Sequence, residues 1–150
     1  MVKAMRMSGM KPRKGEDQNF EFPVLRERLK LTNGKELKLD ALYRGDNGNP
    51  LWTVSPDYKL TTHAAANEFV ETLLTSQNVP FEVGKTAVAF HGNRFFREFR
   101  FPGMAFIPGD GNGNQTALDG GAKDEYIPTI ILRNSYDKTS SLDFLYGGFR

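Results

Sequence analysis

Hydrophobic and polar residues alternate along the first third of the chain, and this period of two predicts β-strands. Residues 23–44 predict a β-hairpin that turns at Asn33-Gly34. A second turn, at residues 45–50, is rich in glycine and asparagine and ends in a proline. The short apolar run at residues 51–55 then predicts a third strand.

The apolar pattern also predicts the register of this hairpin. A three-residue loop, Thr32 to Gly34 with the glycine left-handed, places Leu29 opposite Leu37. The same register places Leu25 opposite Ala41. A two-residue loop would instead divide the leucines between the two faces. We therefore expect the three-residue loop.

Beyond residue 60 the apolar positions recur every three or four residues, which is typical of an amphipathic helix. Thr61 or Thr62 can cap its N-terminus, and we expect it to end near Gln77. The predicted apolar face consists of Ala66, Phe69, Val70, Leu73 and Leu74. The predicted solvent face consists of Asn67, Glu68, Glu71 and Thr75.

Residues 86–101 predict a second hairpin, turned by Gly92-Asn93, in which a two-residue loop would place His91 opposite Arg94. One face is then an apolar core face, interrupted by Arg97: Val88, Phe90, Phe95, Phe99 and Phe101. The other face is mainly basic and carries an exposed aromatic ring: Ala87, Ala89, His91, Arg94, Phe96, Glu98 and Arg100.

The remainder of the chain predicts a long surface loop at residues 109–125, rich in glycine, and two further strands at 129–134 and 142–146. The resulting element order is β-β-β-α-β-β-loop-β-β. Strand runs interrupted by a single helix indicate the α+β class. We expect a largely antiparallel sheet with a β-β-β-α core and one main helix packed on it, followed by further hairpins.

Composition and charge narrow the function classes. A chain of 150 residues is typical of one domain, and its zero cysteines exclude disulfides, thiol catalysis and zinc sites with cysteine ligands. No apolar run is long enough to span a membrane, and none has the form of a secretory signal. We therefore expect no membrane partner and a cytoplasmic location.

The net charge of +2 is unevenly distributed. The first 15 residues carry five basic and no acidic side chains, whereas the rest of the chain carries 15 basic and 18 acidic ones, a net −3. We therefore expect residues 1–19 to be a flexible basic leader and residues 20–150 to be a single α+β domain. The bulk charge alone does not indicate nucleic-acid binding.

Several short motifs are incomplete as chemical sites. Residues 84–86, Gly-Lys-Thr, lack the earlier glycine and the following helix of a phosphate-binding loop. Residues 110–121 lack the glycine and glutamate that a calcium loop needs. We expect no catalytic residues, no metal and no cofactor. A hydrolase or nuclease that uses Asp124, Glu125 and a histidine is the minority interpretation.

The most suggestive cluster is basic and aromatic. Guanidinium groups neutralise phosphates, and an aromatic ring between them can stack on a base, as in sequence-neutral single-strand binding. An equally weighted alternative is a solvated sheet face whose charges block edge pairing. The candidate nucleic-acid-binding residues are His91, Arg94, Phe96, Arg97 and Arg100 on the hairpin, Arg133 and Lys138 later in the chain, and Lys11, Arg13 and Lys14 in the leader.

Two segments resemble a family of phage- and plasmid-borne proteins of unknown function. The first is Val54-Ser55-Pro56-Asp57-Tyr58-Lys59-Leu60, which leads into the helix, and the second is residues 133–142, RNSYDKTSSL, closing on Phe149-Arg150. The resemblance spans roughly Tyr43 to Arg150. Members of that family usually continue beyond the corresponding arginine, so the resemblance implies a chain truncated at its C-terminus.

The resemblance implies mobile-element biology, such as replication, recombination or counter-defence. The β-β-β-α core is also similar to that of the single-strand annealing proteins, which form rings that hold single-stranded DNA in a basic groove. We therefore predict a phage-type module that binds single-stranded DNA in recombination or replication, as a homo-oligomer in the host cytoplasm. The alternative is a phage structural or protein-interaction domain, acting against the host, without catalytic activity.

Overall fold

The computed structural model describes residues 19–106, 125–139 and 143–149. The elements follow the predicted order: β1 Val24–Lys30, β2 Glu36–Arg44, β3 Pro50–Val54, α1 His63–Ser76, β4 Glu82–Ala89, β5 Arg94–Arg100, β6 Ile127–Ser135 and β7 Asp143–Phe149. The predicted loop at 109–125 lies outside the described residues except for Glu125, and the predicted leader lies outside them except for Asn19.

The α+β class and the antiparallel pairing are confirmed, but the strands form two sheets instead of one. β1, β2 and β3 form a three-stranded sheet, and β4 to β7 form a four-stranded sheet in sequence order. Every described strand pair is antiparallel. α1 contacts β6, so the helix packs on the second sheet.

The first hairpin has the predicted loop but only part of the predicted register. The backbone N–H of Leu31 donates to the carbonyl of Lys35 at 2.8 Å, and Gly34 has a φ of +84°. Lys30 lies opposite Glu36, as expected. An irregularity between Arg28 and Lys30 then shifts the pairing.

Beyond this irregularity the predicted pairing of Leu25 with Ala41 is wrong, because Leu25 lies opposite Tyr43. The observed register places Asp40 opposite Arg28. The Asp40 carboxylate accepts hydrogen bonds from Arg28 Nε at 2.6 Å and from Arg26 Nε at 2.8 Å. The apolar pattern contains no information on this ion-pair network.

The helix begins as predicted, with Thr62 as its N-cap: the Oγ1 atom accepts a hydrogen bond from the backbone N–H of Ala65 at 3.1 Å. Its buried face differs from the predicted one. Phe69 and Leu73 are exposed to solvent, whereas Asn67, predicted to face solvent, is buried. The buried residues are His63, Ala66, Asn67, Val70 and Leu74.

The predicted two-residue loop of the second hairpin is wrong. Ala89 lies opposite Arg94, so four residues, Phe90 to Asn93, connect the strands. Phe90 and His91 have φ values of 53° and 60°, in the left-handed region. Phe90 is consequently 60% exposed, so the prediction that it belongs to the core is wrong.

Tertiary contacts explain the longer loop. Gly92 is buried with a φ of +105°, and a Cβ atom there would lie 2.9 Å from Cζ of Phe22. Its carbonyl lies 2.8 Å from His63 Nε2, and the carbonyl of Asn93 accepts a hydrogen bond from the N–H of Tyr136 at 2.8 Å. The loop is therefore shaped by the helix and by the residue that follows β6, and a local turn rule takes neither into account.

One hydrophobic cluster joins both sheets and the helix. It contains Phe22, Leu42, Leu51 and Val54 from the first part of the chain, Ala66, Val70 and Leu74 from α1, and Val83, Val88, Phe95, Phe99, Phe101, Leu132 and Tyr136 from the second sheet and its flanks. Among the described residues, no helix has the length and apolar character needed to cross a membrane.

Candidate nucleic-acid interface

The four-stranded sheet has an inner face covered by α1 and an opposite face, which we call the outer face. The side chains of a strand alternate between the two faces. Phe95, Arg97 and Phe99 are on the inner face and are buried. The outer face carries Arg94, Phe96, Glu98 and Arg100 of β5 and Arg133 of β6. The structure thus brings four of the predicted binding residues together, with Phe96 directly opposite Arg133.

Arg133 forms a two-pronged ion pair with Asp143 on β7. Its Nε lies 2.8 Å from Oδ1 and its Nη2 lies 2.7 Å from Oδ2. The hydrogen bonds raise the pKa of Arg133 and lower the pKa of Asp143. The two side chains are 42% and 35% exposed, so an incoming anion can reach the guanidinium.

Arg94 lies between a carboxylate and an aromatic ring. Its Nε is 3.0 Å from Asp137 Oδ2, and its guanidinium carbon is 4.0 Å from the centre of the Phe90 ring. Burial raises the pKa of Asp137, but hydrogen bonds from Thr139 and Arg94 outweigh this and hold it below its usual value. Phe90 is therefore an exposed aromatic partner of Arg94 that the two-residue loop had placed in the core.

Phe96 is partly buried, and a second cation approaches its ring. The Nζ atom of Lys85 lies 5.1 Å from the ring centre, within the range of a cation–π contact. In the sequence, Lys85 falls within the incomplete phosphate-loop motif at residues 84–86, and the strand was predicted to start one residue later. Lys85 directly precedes the run of alternating residues that begins at position 86, and this position was the signal that could have identified it as a strand residue near Phe96.

Arg100 is on the outer face but is not accessible to a phosphate. Its side chain is only 10% exposed and is ion-paired with Glu98 at 2.8 Å. Gly84 covers it, since a Cβ atom at that position would lie 2.6 Å from Nε of Arg100. Glu98 also accepts a hydrogen bond from the backbone N–H of Lys85 on β4 at 3.0 Å, so the ion pair is tied to the neighbouring strand.

Arg97 does not belong to the interface, contrary to the prediction that it binds phosphate. It points to the inner face, where Nη1 donates to Asn67 Oδ1 at 2.9 Å and Nη2 lies 3.5 Å from Glu71 Oε1. Its side chain is 9% exposed. The residue fastens α1 to the sheet, which explains why the predicted core face contained a charge.

His91 and Lys138 lie in loops and not on the strands that form the outer face. His91 lies in the four-residue loop and not opposite Arg94, because the register is shifted. Lys138 follows β6, with Nζ 6.0 Å from the ring centre of Tyr58. The predicted arm residues, Lys11, Arg13 and Lys14, lie outside the described residues.

A polar cluster is buried where α1 meets the sheet. His63 is fully buried, with Nε2 2.8 Å from the Gly92 carbonyl and Nδ1 3.0 Å from Asn134 Nδ2. Burial lowers the pKa of His63 to about 4 and raises that of Tyr136, whose ring stacks on it at 4.1 Å. A neutral imidazole without solvent contact connects structural elements and is not placed for catalysis.

Within the described ranges, no group of three or more histidine and carboxylate side chains is arranged to hold a metal ion. Asp124 of the minority hydrolase interpretation lies outside these ranges. The chain matches no model of a protein family, no curated protein and no solved structure.

Proposed function

We propose that this chain is a module that binds single-stranded nucleic acid on the outer face of the β4–β7 sheet. The observation that carries the proposal is the cross-strand pair of Phe96 and Arg133 on a four-stranded sheet whose other face is covered by α1. Sheets of this layout stack bases on open-face aromatic rings while neighbouring cations bind the phosphates. Phe96 and Phe90 would stack, and Arg94 and Arg133 would contact phosphates.

The carboxylate partners set the strength of such binding. Arg94 and Arg133 are each paired with an aspartate, so a phosphate must replace a carboxylate. At Arg133 this exchange has a small cost, because both side chains of the pair are exposed and exposed ion pairs contribute only about 0–1 kcal/mol. At Arg94 it costs more, because the Asp137 side chain is only 8% exposed and would lose its partner. We therefore expect modest affinity with a strong salt dependence.

The proposal extends to the biological setting that the resemblance implies. The protein would act in recombination or replication of a phage or plasmid, in the cytoplasm of the host. β1–β3 and α1 would correspond to the β-β-β-α core of the single-strand annealing proteins. Lys11, Arg13 and Lys14 would supply an accessory basic arm.

The test is a fluorescence-anisotropy titration with a labelled oligothymidine of about 20 nucleotides at low salt. We expect Asp143→Asn to tighten binding about fivefold, because it removes the competing carboxylate beside Arg133. Arg133→Gln should weaken binding by a similar factor. The matched control is Asp46→Asn, which makes the same change of charge at another arginine-paired aspartate, in the turn between β2 and β3.

Three results would contradict the proposal. One is no binding of the wild-type chain at low salt, and another is an affinity that does not change with salt concentration. The third is an equal gain from Asp143→Asn and Asp46→Asn, which would show that only net charge matters and not the outer face.

The second candidate is a protein-interaction or structural domain. The observation that favours it is that each arginine of the outer face has a carboxylate partner, in a body that is net negative. Capture of a specific host protein from a nuclease-treated lysate, together with no oligonucleotide binding, would support this candidate over the first.

A further inference from the structure

β7 is an edge strand. It pairs with β6 on one side, and among the described residues no strand pairs with it on the other. An edge presents a row of unpaired backbone N–H and C=O groups, which can pair with a strand of another chain. The side chains on this edge are apolar and exposed: Phe144 is 48%, Leu145 43% and Tyr146 78% exposed.

The other edges carry features that block pairing, and β7 does not. β4 has an irregular register between Val83 and Thr86, and β1 has one between Arg28 and Lys30 together with several charged side chains. β3 begins with a proline. β7 pairs regularly with β6 along its whole length and has no charged residue or proline after Asp143. Natural proteins usually protect an edge of this kind.

The sequence of β7 is complementary to itself. When two copies are aligned antiparallel about a two-fold axis at Tyr146, all seven residues of the strand find a partner. Leu145 then lies opposite Gly147, and Phe144 lies opposite Gly148. A Cβ atom at Gly147 would have nothing within 4 Å, so there is open space beside this glycine for the opposing leucine. Phe144 and Leu145 therefore meet glycines, and Tyr146 is the only large side chain of β7 that lies opposite its own copy.

We propose that β7 pairs with β7 of a second copy of this chain, about a two-fold axis at Tyr146, to form a continuous eight-stranded sheet. Such an interface is isologous, because each residue pair occurs twice, as is usual in dimers. Residues 144–149 carry no charge, so the antiparallel strands do not repel each other along this stretch. The outer faces of the two copies' β4–β7 sheets then form one continuous surface. The pairing needs no nucleic acid and stands independently of the proposed function.

The test uses the absence of cysteine from the chain. In Tyr146→Cys the two new thiols lie directly opposite each other, with Cβ atoms about 4.5–5.5 Å apart. This is close to disulfide geometry. We expect mild oxidation, without nucleic acid, to convert most of the variant into a disulfide-linked dimer of twice 16.9 kDa on non-reducing gels.

Leu145→Cys is the matched control, because in this register residue 145 lies opposite residue 147. Its two copies would be more than about 7 Å apart, too far to bridge. Light scattering should also give twice the chain mass for the wild type and the single-chain mass for Tyr146→Lys, in which two like charges oppose each other. A monomeric wild type would overturn the proposal. So would equal cross-linking of the two cysteine variants, or a dimeric Tyr146→Lys.

Discussion

Among single residues, His63 connects the start of α1 to the second sheet and its loops. Its backbone N–H donates to the Tyr136 hydroxyl at 2.8 Å, and its ring reaches Gly92 and Asn134. With Nδ1 accepting from the Asn134 amide, the neutral ring must carry its proton on Nε2 and donate it to the Gly92 carbonyl. If Nδ1 were also protonated, its N–H and the side-chain amide N–H of Asn134 would both be donors and would point at each other. Charge on this ring is therefore disfavoured in the folded protein, which agrees with the lowered pKa of His63.

The free energy of unfolding should fall as the pH is lowered from 7 to 4. The pKa of His63 is about 4 in the folded protein and 6.5 as the ordinary value, so between these values only the unfolded chain binds the proton. A difference of this size corresponds to a loss of about 3 kcal/mol. Urea denaturation at several pH values measures it.

His63→Gln should be less stable at pH 7 but should lose most of this pH dependence. His91→Gln, at the exposed histidine, should retain it. The lowered pKa values of Asp40, Asp46, Asp137 and Asp143 contribute stability that is lost only as the pH falls below their ordinary 3.8. An unchanged slope in His63→Gln would contradict the assignment.

At the level of elements, the helix shows what periodicity predicts and what it leaves open. The residue pattern predicted the position, the cap and the length of α1. It also placed adjacent Leu73 and Leu74 on one apolar face, but Leu73 is 48% and Leu74 9% exposed. The buried stripe is rotated because Asn67 bonds with Arg97 across the helix–sheet contact. A polar residue with a distant partner cannot be recognised as buried from its own segment.

Leu74→Ala should therefore lower the free energy of unfolding by about 2–4 kcal/mol, since it leaves a cavity in the core. Leu73→Ala, the same chemical change one residue earlier, should change it by less than about 0.5 kcal/mol. Chemical denaturation of the two variants at one pH gives the comparison. Similar losses in both would mean that the helix is rotated from its position in the structure.

For the whole molecule, the sequence predicted the strand order and the candidate face but not the charge pairing on it. Arg94, Phe96 and Arg133 are on that face because alternation is a local rule. The partner of Arg94 is Asp137, 43 residues away, and that of Arg133 is Asp143, on a different strand. Such pairs depend on strand register across the sheet, which the apolar pattern did not determine even for the first hairpin.

The division into two sheets also escaped prediction, yet one core connects them. Leu42 of β2 and Leu132 of β6, both essentially inaccessible, belong to the same cluster as the α1 residues. A small domain with one contiguous core usually unfolds in a single cooperative step. We therefore expect the two sheets to unfold together and not as separate units.

Trp52, the single tryptophan, reports on the first sheet, while far-UV circular dichroism reports mainly on α1, which packs on the second. The urea midpoints of the two signals should coincide. Leu132→Ala, in the second sheet, should lower both midpoints equally, with a loss of about 2–5 kcal/mol. A shared core transmits a cavity in one sheet to the stability of the other. If Leu132→Ala left the urea midpoint of the Trp52 signal unchanged, β1–β3 would therefore fold on their own.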